Sequence, residues 1–176
     1  MQNTDQIVDE FLRPYQEQIG KQYRAYKNHV CRLIELCKLQ DQKPANLNKY
    51  IIAAVFHDIG LWTHKTFDYV PPSMAVAEDY LLENELETAV EEIKAMIYWH
   101  HKTTSYTQEF ADTVNVFRKA DWMDATFGIV KREVNHRELR RLRSLYPTFG
   151  FHRFLLKKTI GNFFLHPLRP LPMFKV

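Results

Sequence analysis

The chain has 176 residues and is poor in several things. Five glycines are few for a chain built on tight hairpins or on loops that cradle phosphate with bare backbone. Cysteine is nearly absent: Cys31 and Cys37 lie on one predicted helix, about 9 Å apart along its axis, too far for a disulfide within it. Both read as reduced, buried, inert thiols. The longest apolar run is Ile51–Phe56, well short of the roughly 20 residues a membrane-spanning helix needs. The opening stretch MQNTDQIVDE has neither a basic start nor an apolar core and so resembles no secretory signal. The expectation is a cytoplasmic chain with no membrane partner.

Apolar residues make up 45% and aromatics 14%, a globular composition in a length suited to one domain with a core of its own. The net charge is only +3 but is unevenly spread: residues 131–176 hold eleven of the 24 Lys and Arg and two of the 21 acidic residues. That basic quarter is either a solvated helix face, its arginines reaching over apolar neighbours, or a surface for an anionic partner. No nucleic-acid motif accompanies it, so nucleic acid is not the expected ligand.

Apolar residues recur at helical spacing along the chain, and no segment of useful length alternates as a half-buried strand does, so the fold class is all-α. Helices are predicted over about 4–13, ending at Pro14, and over about 19–39. A third starts after Asn46 as N-cap and stops at Gly60. A fourth is capped by Ser73 and ends near Glu83, and a fifth begins at a capping box, Thr88 with Glu91, and runs to about His100. A sixth covers about 109–127 and is closed by Gly128. Two more, near 129–145 and 151–163, are broken by YPTFG, and the proline-bearing tail HPLRPLPMFKV is expected to be extended. Its His166, like His152, reads as structural, and the aromatics of this quarter should cover the domain or a second copy in a homodimer.

Polar residues interrupt the oily faces of these helices. Phe110, Val114, Phe117, Asp121 and Ala125 form one stripe with a carboxylate inside it; Ala25, His29, Leu33 and Leu36 form another that contains a histidine. The most apolar helix ends in His57–Asp58. A lone core histidine is ordinarily a hydrogen-bonded structural residue, and with eight histidines in the chain one adjacent His–Asp pair arises by chance about half the time. The conjunction is more telling. An unpaired buried carboxylate costs several kcal/mol, whereas one divalent cation satisfies His29, His57, Asp58 and Asp121 together. Two imidazoles and two carboxylates suit Mn, Fe, Co, Ni, Zn or Mg and leave coordination positions for water and substrate.

NHV on the second helix, FHDIG at the end of the third and FRKADWMDAT on the sixth resemble the His…His-Asp…Asp pattern of the HD-domain superfamily of metal-dependent phosphohydrolases, over about residues 20–130. MIYWHH is similar to a further recurrent element. The resemblance implies a compact all-helical fold around one metal ion, sometimes two, with His29, His57, Asp58 and Asp121 as ligands. Many members place a lysine after HDIG, and members that hydrolyse deoxynucleoside monophosphates often have a glutamate three residues past the Asp; both places fall on Leu61 here. The histidine that two-metal members carry near the start of the next helix is missing from PPSMAVAED. One ion is therefore expected, although His100 or His101, with His64 as a substitute, could reach a second.

The leading expectation is hydrolysis of a phosphoester of a small, anionic, nucleotide-like substrate by metal-activated water. In it Asp58, His100 and His101 act catalytically, the two histidines positioning substrate or moving a proton, and Arg118 and Lys65 meet phosphate. Two other readings stay open: hydration or hydrolysis of a small non-phosphate substrate, as in HD proteins similar to cyanamide hydratase, and a non-catalytic, metal-stabilised module that binds a nucleotide or a protein.

Overall fold

The computed structural model of the chain describes residues 3–129 and 134–165. These are helical throughout with no strand among them: α1 (Thr4–Leu12), α2 (Gln16–Ile19), α3 (Tyr23–Gln40), α4 (Pro44–Phe56), α5 (Gly60–Thr63), α6 (Val70–Glu83), α7 (Val90–Trp99), α8 (Ala111–Ala125), α9 (His136–Leu145) and α10 (Phe151–Leu165), with three short 3-10 turns between them. No described helix is long and apolar enough to cross a membrane. The tail from His166 onward, and the start of the helix predicted near 129, fall outside the described residues.

Helix α3 is the axis of the bundle. It packs against α1, α4 and α8, while α7 packs against α4, α6 and α8. Its predicted core positions Ala25, His29, Leu33 and Leu36 are all buried, as are both thiols. Burial lifts the Cys31 thiol to about 12, which keeps it protonated and inert at neutral pH. A buried carboxylate ties the second layer together: Glu92 of α7 pairs with Lys49 of α4 at 2.7 Å and accepts a hydrogen bond from Thr113 of α8 at 2.6 Å.

Several helix ends differ from the sequence expectation, each for a physical reason. Helix α4 begins at Pro44, whose fixed φ and missing N–H suit a first turn; Asn46 lies inside the helix and donates to Asp41 at 2.7 Å instead of capping. Thr88 and Glu91 form no capping box, because a 3-10 turn (Glu87–Ala89) leads into α7. Ser73 sits within the first turn of α6 and its hydroxyl accepts the backbone N–H of Gly60 at 2.9 Å. Gly60 does not close a helix but opens α5. A Cβ there would stand 2.5 Å from the Tyr69 carbonyl oxygen and 3.0 Å from Pro72 and Ser73, so the glycine permits the 69–73 turn to lie against the His57–Asp58 corner.

Candidate metal centre

Three parts of the chain converge in the interior. His29 comes from the core face of α3, Asp121 from the core face of α8, and His57–Asp58 from the turn between α4 and α5, with His57 N–H still bonded to Ala53 O at 2.9 Å as the last hydrogen bond of α4. All four side chains are buried. His29 Nε2 lies 3.1 Å from His57 Nε2 and 3.5 Å from Asp121 Oδ1; His57 Nε2 lies 3.3 Å from Asp58 Oδ2 and 3.9 Å from Asp121 Oδ1.

The hydrogen bonds on the far side of each ring fix which nitrogen faces the centre. His29 Nδ1–H donates to Asp124 Oδ2 at 2.7 Å, and His57 Nδ1–H donates to the Ala54 carbonyl at 2.8 Å. In these neutral tautomers both Nε2 atoms are bare lone pairs, so their 3.1 Å approach is not a hydrogen bond. Burial pushes His29 down to about 4, and the opposing pull of Asp124 does not reverse it, so a proton does not fill the gap at neutral pH. A cation does. Adjacent ligands about 2.1 Å from one ion are about 3.0 Å apart at a right angle and at most about 4.2 Å apart across it; His29, His57 and Asp58 offer ligand atoms that all lie within 4.8 Å of one another, and Asp121 reaches the two histidines. The donor set fits a divalent ion.

The carboxylates make the same point through charge. Burial, reinforced by the nearby Asp58 and Asp124 carboxylates, pushes Asp121 up to about 7. Two carboxylates in one dry site thus favour a shared counter-charge.

A second group adjoins the first. His100, at the end of α7, donates Nδ1–H to the Ile97 carbonyl at 2.5 Å, which leaves its Nε2 bare, 3.6 Å from Asp58 Oδ1. Both of these atoms are buried without a hydrogen-bond partner. Asp58, His100 and His101 offer ligand atoms within 4.8 Å of one another, so Asp58 is common to both groups. His101 is half-buried, and its Nε2 shares a hydrogen bond with the Tyr69 hydroxyl.

The other residues singled out in the sequence lie apart from this cluster. Lys65 and His64 are exposed on the turn that follows α5, Lys65 with φ 51°. Arg118, expected at a phosphate, is fully buried, and its guanidinium holds the protein's own loop, donating to Lys102 O at 3.2 Å, Ser105 Oγ at 3.5 Å and Asn115 Oδ1 at 3.2 Å. That loop directly follows His101, so Arg118 fixes the exit of α7.

Three residues at the centre, Asp124, Arg32 and Tyr69, escaped the sequence reading. Asp124 orients His29 and is itself clamped by Arg32, whose Nε and Nη2 donate to its two oxygens at 2.7 and 2.8 Å. Burial opposes ionisation of Asp124, but His29 and Arg32 together hold its carboxyl well below the usual range. The available signal was position: each stands three residues after a ligand, Arg32 after His29 and Asp124 after Asp121, and so shares its helix face. Tyr69 carried no signal, because it lies in a stretch read as loop.

A family model described as HD domain matches residues 26–126 of the chain, and with them every residue of both groups. No curated protein and no solved structure matches it.

Proposed function

The chain belongs to the HD-domain family, whose members bind divalent metals and are typically metal-dependent hydrolases, and from that premise we propose that it hydrolyses a phosphoester of a small, anionic, nucleotide-like molecule. The observation that carries the proposal is the pair of bare Nε2 atoms 3.1 Å apart beside two buried carboxylates. A divalent ion held by His29, His57, Asp58 and Asp121 supplies Lewis-acid polarisation of a substrate oxygen and acidifies water. The chain's own groups do the rest. Asp124 and the Ala54 carbonyl keep the two imidazoles in the ligating tautomer. His101, half-buried where α7 gives way to loop and hydrogen-bonded to Tyr69, can with it hold or deliver a proton at the leaving oxygen. His100 presents its free Nε2 beside Asp58, and Lys65 is the exposed cation nearest in sequence to the His–Asp corner that can meet a phosphate.

The test is direct. Asp121→Ala should lose both bound metal and phosphatase activity, and chelated wild type should recover turnover on return of one of Mn, Fe, Co, Ni, Zn or Mg. Full activity and stoichiometric metal in Asp121→Ala would overturn the ligand assignment. One feature favours a second reading: the residue after Gly60 is Leu61, only 8% exposed, so no cation stands there to bind phosphate. A small neutral substrate, hydrated or hydrolysed by the same centre, accommodates that. Nucleotides assayed beside nitriles and amides separate the two, and tight nucleotide binding without turnover under any ion would point to a binding module.

A further inference from the structure

The segment between α9 and α10 lies beyond the matched residues 26–126, yet it is bound to the same turn of α3 that carries His29. Asn28 Nδ2 donates to the Pro147 carbonyl at 2.7 Å, and Arg32 Nη1 donates to the Tyr146 carbonyl at 2.7 Å while its other nitrogens grip Asp124. The chain then turns through Gly150 at φ 81°, Phe151 N–H bonds to Thr148 O at 2.9 Å, and α10 begins. Its first residue, Phe151, is 1% exposed and lies against the face of His29, with ring centroids 4.6 Å apart and planes 24° apart. The next residue, His152, donates Nε2–H to the Asp124 carbonyl at 3.0 Å.

We propose that this C-terminal segment completes the metal centre, with Phe151 as a positioning residue for His29. The reason is geometric. One in-plane hydrogen bond from Nδ1–H to Asp124 sets the direction of that bond but lets the imidazole swing about it, and imidazole χ2 is intrinsically broad. The Phe151 ring closes the face into which His29 would swing, and it excludes water and competing ligands from that side. Nε2 thereby stays aimed at the ion. An ordinary core aromatic would contribute to stability in the metal-free and metal-bound proteins alike; a positioning residue contributes more to the bound form.

This inference rests on the metal reading above, and its test uses the full chain loaded with Co2+. Release of Co2+ to excess chelator is followed optically, and melting is recorded with and without the ion. Phe151→Ala should release Co2+ about 10–100 times faster than wild type and should show a smaller metal-induced rise in Tm. Phe151→Tyr, which keeps the ring, should restore slow release. Should Phe151→Ala not fold, Phe151→Leu takes its place and is expected to release faster than Phe151→Tyr. Equal release from ring-bearing and ring-less variants overturns the proposal, as does a lower Tm of the metal-free protein with an unchanged metal-induced rise. A wild type that takes up none of Co, Mn, Fe, Ni, Zn or Mg would instead sink the metal reading, and this inference with it.

Discussion

Removing the Asp124 carboxylate should damage stability and metal binding by separable routes. In Asp124→Ala the Arg32 guanidinium, 1% exposed and bonded to both oxygens at 2.7 and 2.8 Å, is left as a buried, uncompensated charge. Breaking one side of such a pair costs about 3–5 kcal/mol. At about 2–4 °C per kcal/mol for a chain of this length, Tm should fall by about 6–20 °C. His29 also loses the acceptor that fixes its tautomer, which should weaken metal affinity by about 10–100-fold. The double variant Asp124→Ala with Arg32→Met removes the orphaned charge and fills space with hydrocarbon. It should regain much of the stability and none of the metal affinity. The pair also has an acid signature: with its folded-state pKa depressed, Asp124 contributes stability that is complete above the unfolded value of about 3.9 and lost as pH falls below it. Chemical denaturation of the three proteins (wild type, Asp124→Ala and the double variant), with metal titration by competition against a chelator, reads both effects. The reasoning is refuted if Asp124→Ala costs under about 1 kcal/mol, or if the double variant recovers metal affinity together with stability.

Three further outcomes follow from other parts of the structure. Gly60→Ala should cost about 1–3 kcal/mol, since its Cβ would stand 2.5 Å from the Tyr69 carbonyl and force backbone to move; unchanged denaturation would show the 69–73 turn to be freer than its contacts indicate. Asp41→Asn should cost about 1–2 kcal/mol at pH 7, because Asp41 accepts hydrogen bonds from Asn46, Tyr50 and the Lys43 N–H, which hold its pKa below the ordinary value against the effect of burial. Its stabilisation is present above about pH 4 and lost as pH falls through the depressed value, so the gap between the two proteins should close in acid. A saturating divalent ion at about 100 times its Kd should stabilise the chain by about 2.7 kcal/mol and raise Tm by about 5–10 °C, an effect that EDTA reverses and Asp121→Ala abolishes.

What the sequence made legible was whatever repeats with the helix. The stripes through His29 and Asp121 were visible because each polar residue interrupts a run of apolar ones at the same angle, and both are buried as that pattern requires. Helix ends were less legible. Asn46, Ser73 and Thr88 all have the chemistry of caps, but a hydroxyl or amide can serve any donor within reach, and tertiary partners took two of them: Asp41 for Asn46 and Gly60 N–H for Ser73. The clamp of Arg32 on Asp124 joins residues 92 positions apart; each helix places its member three residues after His29 or Asp121, but nothing in either helix says that the two meet. Phe151 was equally hidden, since an aromatic residue at a helix start reads as core whatever it touches.

The buried polar groups also explain why so costly a centre is compatible with folding before any ion arrives. Asp58, Asp121 and Asp124 would together place three negative charges around the centre, where Arg32 is the cation bonded to Asp124 and His29 is held neutral by burial. The protein relieves part of this by protonation, because Asp121 binds its proton up to about pH 7. Asp124 needs no such relief, being matched by Arg32. The remaining imbalance falls on Asp58 and Asp121, the two carboxylates that face the bare Nε2 atoms, and a dication corrects it where a proton corrects only half. On the proposed ligand assignment Asp121 serves the ion and Asp124, three residues on in the same helix, serves the fold, so substitution at Asp121 should act chiefly on the ion and substitution at Asp124 on the fold as well.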